Sequence, residues 1–402
     1  MSKVKLIPGA FALLAALKDR RARISAAGTE RTPDPVSDMA KRMHPDRLHL
    51  VVAGVRNETD TVKTFVLKAS EGERLPVFQP GQYISVKLNV DGSKVSRAYT
   101  ISSAPYEAEG ADGIYEIAVR QKENGLVSNA VWNRYQVGST VDATGPHGDF
   151  YWNPLRDTKQ IVAIAGGAGI TPFRSMIRQF AKEDPGISIT LLYGCKNDRD
   201  ILFGKELDAI IQAHPDRFKR VNTFENCDGA NMRRGFIDAQ FILDNVEKPE
   251  SKTFFICGPA IMYRFLQKEF AKVGKLERKQ MRYEVSGTPD NVCTCSGFDA
   301  SLKGKRFSLK VFIDDEVHEL TASATEPLLV AVERAGLILD SRCRSGECGI
   351  CRSKLVSGDV FVLPDNDGRR EADRDLGYIH PCSTYPLSDV VMIIPPAGAG
   401  QT

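Results

Sequence analysis

The sequence predicts a multidomain protein of mixed α+β and α/β class. An antiparallel β-barrel or sandwich comes first, then a doubly wound parallel sheet, then a small closing domain of strands and one helix. Three observations carry this. At 402 residues, the chain is long enough for two or three domains of about 150 residues each. From Leu48 to Tyr151 apolar residues alternate with polar ones, the period of half-buried strands. From position 159 onward, continuous apolar runs alternate with helical stretches, the pattern of strands covered on both faces.

Composition narrows the class further. Hydrophobic residues make up 42% and charged residues 26%, a balance that excludes wholesale disorder. Fifty-four Lys and Arg against 51 Asp and Glu leave a net charge of +3, too little surplus to point to a nucleic-acid binder. The longest apolar run near the start, Ile7 to Leu17, falls well short of the roughly 18–20 residues that cross a bilayer. Lys18 to Arg23 (KDRRAR) separates that run from any small-residue cleavage site, which argues against a secretory signal and for a cytoplasmic protein.

The elements follow in order. Residues 1–46 read as a short helix, Ala10 to Ile24, and a polar linker with Pro33 and Pro35; the helix either packs on the rest of the chain or anchors a partner or a membrane surface. Residues 47–153 carry the runs LHLVVAGV, TVKTFVLKA, QYISVKLNV, RAYTISSA and YEIAVRQ. Turn signals at Asn57–Asp60, Gln79-Pro80-Gly81, Asp91-Gly92 and Asp112-Gly113 separate them. Residues 154–285 hold strands at Gln160–Ala165, Ser188–Tyr193, near Arg220–Phe224 and Thr253–Cys257, with helices at Phe173–Lys182 and Phe203–Ala213. Residues 286–305 read as a linker with Gly287, Pro289, Gly297 and Gly304. Residues 306–402 open with two strands, FSLKVFI and VHELTA, whose connection Asp314-Asp315-Glu316 is an exposed hairpin tip. A helix around Pro327–Ala335 follows.

Nine cysteines lie at 195, 227, 257, 293, 295, 343, 348, 351 and 382. An odd count in a long chain favours thiolate ligands over a disulfide framework. Cys343, Cys348 and Cys351 show the spacing C-x4-C-x2-C, and Cys382 stands alone after 30 further residues. This is the plant-type arrangement for a 2Fe-2S cluster. Four-cysteine zinc sites favour two close pairs instead. Gly346 and Gly349 supply the positive φ and small volume that a cluster-wrapping loop needs. Cys293 and Cys295 fall outside the pattern and read as free thiols in the linker.

With these residues in view, the chain resembles the ferredoxin–NADP reductase-like flavoprotein reductases that carry a C-terminal plant-type ferredoxin domain, electron donors to oxygenases or hybrid-cluster protein. The resemblance spans about residues 48–397. It implies that the first module is a flavin-binding barrel, the second a nucleotide domain and the last a β-grasp ferredoxin domain. In Arg97-Ala98-Tyr99-Thr100-Ile101-Ser102-Ser103 it implies that Arg97 binds the flavin pyrophosphate, Tyr99 lies against the ring and Thr100 bonds its edge near N5. A guanidinium fork suits two phosphate oxygens. Val119 and Arg120, then Gly125, Val127 and Ser128, match a second flavin segment that opens a helical stretch. The R-x-Y-T-I-S-S form favours FAD over FMN.

Gly166-Gly167-Ala168-Gly169-Ile170-Thr171-Pro172 joins a buried strand to a helix, the setting of a phosphate-cradling loop. It lacks the third glycine of the generic dinucleotide motif, yet it is similar to the reductase loop, with Thr171 as expected N-cap and Pro172 as first helical residue. Cys257-Gly258-Pro259 resembles the turn that flanks the nicotinamide where hydride leaves C4. The plainer alternative for Cys257 is a buried strand-end thiol. Tyr283 and Glu284 close the domain where relatives place an aromatic or acidic residue near the flavin. For the ribose 2′ position the chain offers Glu225, which suits the free hydroxyl of NADH. Arg233 and Arg234 keep NADPH open.

The resulting expectation is electron transfer from NAD(P)H through FAD and a 2Fe-2S cluster to a protein acceptor. A hydride carries two electrons and the cluster accepts one, so a flavin must stand between them. Two rivals remain at this point: direct reduction of a small molecule, and a non-catalytic metal-bearing interaction protein.

Overall fold

The computed structural model describes residues 18–20, 22–23, 34–43, 45, 47–123, 125–226, 232–284, 287–289, 291–314, 316–364 and 367–395. The chain divides into two units, 1–44 and 45–402. In the first, residues 18–20 and 22–23 are helical, and a helix covers Pro35–Met43. The rest of the expected helix over 10–24 lies outside the described residues, as do Cys227 and Asp315.

The second unit begins with six strands: β1 (Leu48–Thr59), β2 (Val62–Ala69), β3 (Tyr83–Val90), β4 (Ser93–Thr100), β5 (Tyr115–Arg120) and β6 (Thr140–His147). Their order is β4-β3-β6-β1-β2-β5, with every pairing antiparallel. An Ile101–Ile117 bridge brings the two edges together. The alternation has its expected cause: Leu50, Val52, Phe65, Leu67, Ile84, Val86, Ile117 and Val119 fill the interior, while their strand neighbours face outward. One turn differs from expectation. β1 runs on to Thr59, so the reversal falls at Asp60-Thr61; register shifts within β1 absorb Asn57 and Glu58 into the ladder.

The next five strands, β7 (Gln160–Gly166), β8 (Ser188–Cys195), β9 (Phe218–Phe224), β10 (Thr253–Cys257) and β11 (Met281–Glu284), form a parallel sheet in the order β11-β10-β7-β8-β9. Both faces are covered. Ile161, Ala163, Ala165 and Phe255 meet the helices Thr171–Glu183 and Gly204–Ala213 on one side. Val162, Ile164, Phe254 and Ile256 meet Ala239–Asn245 and Ala260–Val273 on the other. Double burial explains why these strands read as unbroken apolar runs.

The last module has β12 (Arg306–Ile313), β13 (Glu316–Ser323), β14 (Ser353–Ser357), β15 (Val360–Val362), β16 (Tyr378–Ile379), β17 (Thr384–Pro386) and β18 (Val390–Ile394). Its mixed sheet, β13-β12-β18-β14-β16, holds the helix Leu328–Arg334 against a core that includes Cys351 and Cys382. Asp314, with φ 50°, turns the exposed hairpin between β12 and β13. The linker forms short 3-10 turns at Val292–Thr294 and Ala300–Leu302. There Cys293 and Cys295 pack beside Val292, Phe298, Leu363 and Tyr385.

Candidate redox site

The four cysteines, up to 39 positions apart in the sequence, meet in space. The Cys343 thiol is within hydrogen-bonding reach of Cys348 and Cys382, and Cys382 in turn of Cys351. The loop that carries three of them is shaped by positive φ at Arg344 (57°), Gly346 (87°) and Gly349 (71°). Its amides turn inward: Ser345 and Cys348 N–H groups both donate to Cys343 Sγ at 3.4 Å. The Ser345 hydroxyl is buried beside that sulfur and has no other polar partner. Converging sulfurs, inward amides and an orphaned hydroxyl fit a group of iron and sulfide. The loop is braced from behind. Arg344 forms a buried two-point ion pair with Glu333 at 2.5 and 2.9 Å. His380 Nδ1 bonds the Gly346 carbonyl at 2.5 Å.

The flavin segments lie on β4 and β5, whose ends meet at the Ile101–Ile117 bridge. Arg97 is partly buried and bonds the Ser96 carbonyl at 2.7 Å, but no carboxylate among the described residues. Burial, then the charge of Arg344, lowers its pKa to about 10. A cation held this way fits a pyrophosphate, which would restore the missing countercharge. Burial raises the Tyr99 hydroxyl to about 12, and its ring packs on the barrel core. Val119 and Val127 are buried. Gly125 opens the helix Leu126–Arg134 and brings no capping side chain, so the first-turn N–H groups stay available to an anion. A Cβ at 125 would fall 2.4 Å from Ser128 Oγ, the atom that accepts the Lys122 N–H at 3.3 Å. Arg120 departs from its expected neighbours. It reaches over to the nucleotide loop, 3.6 Å from where a Gly167 Cβ would stand, and lies 3.8 Å from Asp200.

The glycine loop and the Cys-Gly-Pro turn are packed backbone on backbone. A Cβ at Gly166 would meet Pro259 Cδ at 2.9 Å, and one at Gly169 would meet the Cys257 carbonyl oxygen at 2.1 Å. Thr171 is not the N-cap. Gly167–Ile170 forms a 3-10 turn that runs straight into the helix, so Ile170 holds the cap position with helical angles and Thr171 is the first helical residue. Its hydroxyl donates back to Ala168 O at 3.1 Å, and Pro172 occupies the second position, where no N–H is needed. Cys257 is buried, and burial, then Glu284, pushes its thiol well up. Tyr263 Oη accepts the Gly258 N–H at 3.1 Å and donates to the Glu284 carbonyl. Glu225 sits past the end of β9 with an exposed side chain. Nearby, Arg233 is engaged by Asp238 at 2.8 and 3.0 Å and lies over Phe241, whereas Arg234 is exposed.

All three modules meet at one cavity of about 330 Å³, lined by Tyr83 and Ala98 of the barrel, Tyr283 and Glu284 of the nucleotide domain, and Cys343 and Cys348 of the last module. Burial, then Glu347 and Cys343, raises the Glu284 carboxyl to about 8.

One buried polar network between the first two modules gives no sign in the sequence. Arg174, on the helix after the glycine loop, is 3% exposed. It donates to Glu116 at 2.6 Å, to the Ser102 carbonyl at 3.1 Å and to Glu206 at 2.8 Å. Arg56 bonds the other oxygen of Glu116 at 2.7 Å, and Ser175 Oγ donates to Ser103 O at 2.6 Å. The residues just past Thr100 are thereby tied to the helix that carries the nucleotide loop.

Comparison with known proteins agrees with this layout. Residues 50–152 match the oxidoreductase FAD-binding domain family, 163–268 the oxidoreductase NAD-binding domain family and 311–387 the 2Fe-2S iron-sulfur cluster binding domain family. The ferredoxin reductase component of 3-ketosteroid-9-alpha-monooxygenase from Mycobacterium tuberculosis (strain CDC 1551 / Oshkosh) is 27% identical over 86% of this chain and 95% of its own length. The glycine betaine monooxygenase reductase subunit of Chromohalobacter salexigens is 29% identical over 84% and 93%. In fold, the chain is similar to phthalate dioxygenase reductase, with a TM-score of 0.63 and 22% identity over 90% of this chain and all of that one.

Proposed function

Because the chain belongs to the ferredoxin–NADP reductase-like flavoprotein reductases with a C-terminal 2Fe-2S ferredoxin domain, we propose that it is the NADH-preferring reductase component of an oxygenase system. Its reaction is electron transfer from NAD(P)H by way of FAD and the cluster. One NADH supplies a hydride, and two acceptor molecules each take one electron, leaving NAD⁺ and one proton. FAD, when bound, converts the two-electron input to single-electron output.

The chain's own residues orient and insulate. Arg97 and the Gly125–Ser128 turn hold the pyrophosphate, and Tyr99 and Thr100 fix the ring. Gly167, Gly169, Thr171 and Pro172 carry the coenzyme phosphates, and Cys257-Gly258-Pro259 seats the nicotinamide. Cys343, Cys348, Cys351 and Cys382 bind the irons. The observation that carries the proposal is the shared cavity at which Ala98, Glu284 and two cluster cysteines converge.

The preference for NADH rests on Glu225 and on Arg233, which is already engaged by Asp238. Glu225→Ala should narrow the ratio of NADH to NADPH turnover; an unchanged ratio would place the ribose contact elsewhere. An oxygenase as acceptor rests on the relatives' roles, and a cytoplasmic setting on the odd number of cysteines in a long chain. Among the described residues no helix is long and apolar enough to cross a membrane. The test of the whole reading is an anaerobic NADH titration followed by visible absorption. Flavin and cluster bands should bleach together, with iron and no zinc in the purified protein. A colourless preparation would overturn it.

A further inference from the structure

Side chains of a strand alternate between its two faces, and β4 divides them between two modules. Tyr99 packs with the barrel core. The intervening residues meet the ferredoxin module: Ala98 lines a cavity with Cys343 and Cys348, and Ser96 makes a direct bond. Ser96 Oγ lies 2.8 Å from Ser341 Oγ and 3.3 Å from the Ser341 carbonyl oxygen, and Ser96 is buried. Ser341 stands two residues before the first cluster ligand, and Ser96 stands one residue before Arg97. Beside this contact Arg97 feels the Arg344–Glu333 ion pair of the last module. The two hydroxyls are the direct bond between the flavin strand and the segment that leads into the cysteine loop.

We propose that Ser96 is a positioning residue for the flavin-to-cluster step, its hydrogen bond to Ser341 pinning the cluster loop to the flavin-binding strand. The inference rests on the electron-transfer reading above and adds to it a named docking contact. In the step itself one electron leaves the reduced flavin and one enters the cluster. No proton or covalent bond changes at Ser96, whose hydroxyl stays neutral throughout. Its role is to keep the loop seated so that the gap between the two cofactors stays short.

The experiment is a double-mutant cycle of Ser96→Ala and Ser341→Ala in the flavin- and cluster-loaded protein. Two readouts are taken: stopped-flow rates of flavin reduction by NADH and of the following cluster reduction, and amide hydrogen exchange over residues 335–342. Ser96→Ala should raise exchange in that segment by about fivefold, the ratio that one ordinary hydrogen bond is worth, and Ser341→Ala by less, because the Ser341 carbonyl oxygen still faces Ser96 Oγ. Both should slow cluster reduction while flavin reduction by NADH keeps its rate. The double variant should match Ser96→Ala alone, which already removes both contacts. Additive effects, or exchange and cluster reduction unchanged from wild type, would overturn the assignment. So would equal slowing of both rates, which marks general damage to β4. A wild-type cluster that NADH never reduces would sink the electron-transfer reading itself, before any serine is changed.

Discussion

The Cα of Gly169 rests on the carbonyl group of Cys257, leaving no room for a side chain: a methyl group there would stand 2.1 Å from the oxygen. The obstacle is backbone, so no rotamer change relieves it. Gly169→Ala should spread the glycine loop from the Cys-Gly-Pro turn at a cost of about 1–3 kcal/mol. NADH affinity, measured by titration of the oxidised protein, should fall at least tenfold. The visible spectra of both cofactors should persist. Unaltered affinity would show that the coenzyme does not use this joint.

Arg174 and Glu116 form a buried pair with two further partners, and removing the cation strands carboxylates. Arg174→Met should destabilise the protein by about 3 kcal/mol, the low end for breaking a buried pair, since Arg56 still serves Glu116. Burial alone would raise the Glu116 pKa, but the bond from Arg56 and the charge of Arg174 outweigh it and hold it below the ordinary 4.5. The stabilisation is therefore present above about pH 4.5 and is lost as pH falls through the lower folded value. Denaturant midpoints should drop steeply on acidification in wild type and less so in Glu116→Gln.

Glu284 runs the opposite way. Its carboxyl is raised from 4.5 to about 8, so between those values the folded protein holds a proton that the unfolded chain releases. Stability should decline as pH rises through that window and level off above it. Glu284→Gln keeps the shape without the titration and should flatten the decline. A thermal-shift series from pH 5 to 9 reads this directly. Parallel curves for the two proteins would contradict it.

Cys348 is the exposed member of the cysteine set. Cys348→Ser should abolish one-electron reduction of a protein acceptor such as cytochrome c while leaving NADH-driven ferricyanide reduction largely intact. If both activities vanish together, the last module is serving to hold the flavin domain rather than to conduct from it.

How much of this was legible follows from the range over which each feature acts. The meeting of the four cysteines could be read because three of them fall within nine residues of one loop, and the glycine loop because backbone contact forbids side chains. Thr171 was misplaced by one position, since a cap rule assumes an extended residue before the helix and here a 3-10 turn precedes it. The turn near Asn57 shifted because a strand irregularity takes up polar residues that usually end strands. Arg174 was invisible. Its partners at 102, 116 and 206 come from three separate segments, and nothing in a helix pattern marks a surface arginine as one that will be buried. Ser96 was equally silent, because its partner lies 245 positions away.

The Tyr263 hydroxyl, bonded on one side to the Gly258 amide and on the other to the Glu284 carbonyl, works as a rivet between the coenzyme pocket and the root of the tether that carries the ferredoxin module. The glycine turn and the end of β11 thus share one oxygen atom, so a displacement of either strains a bond to the other.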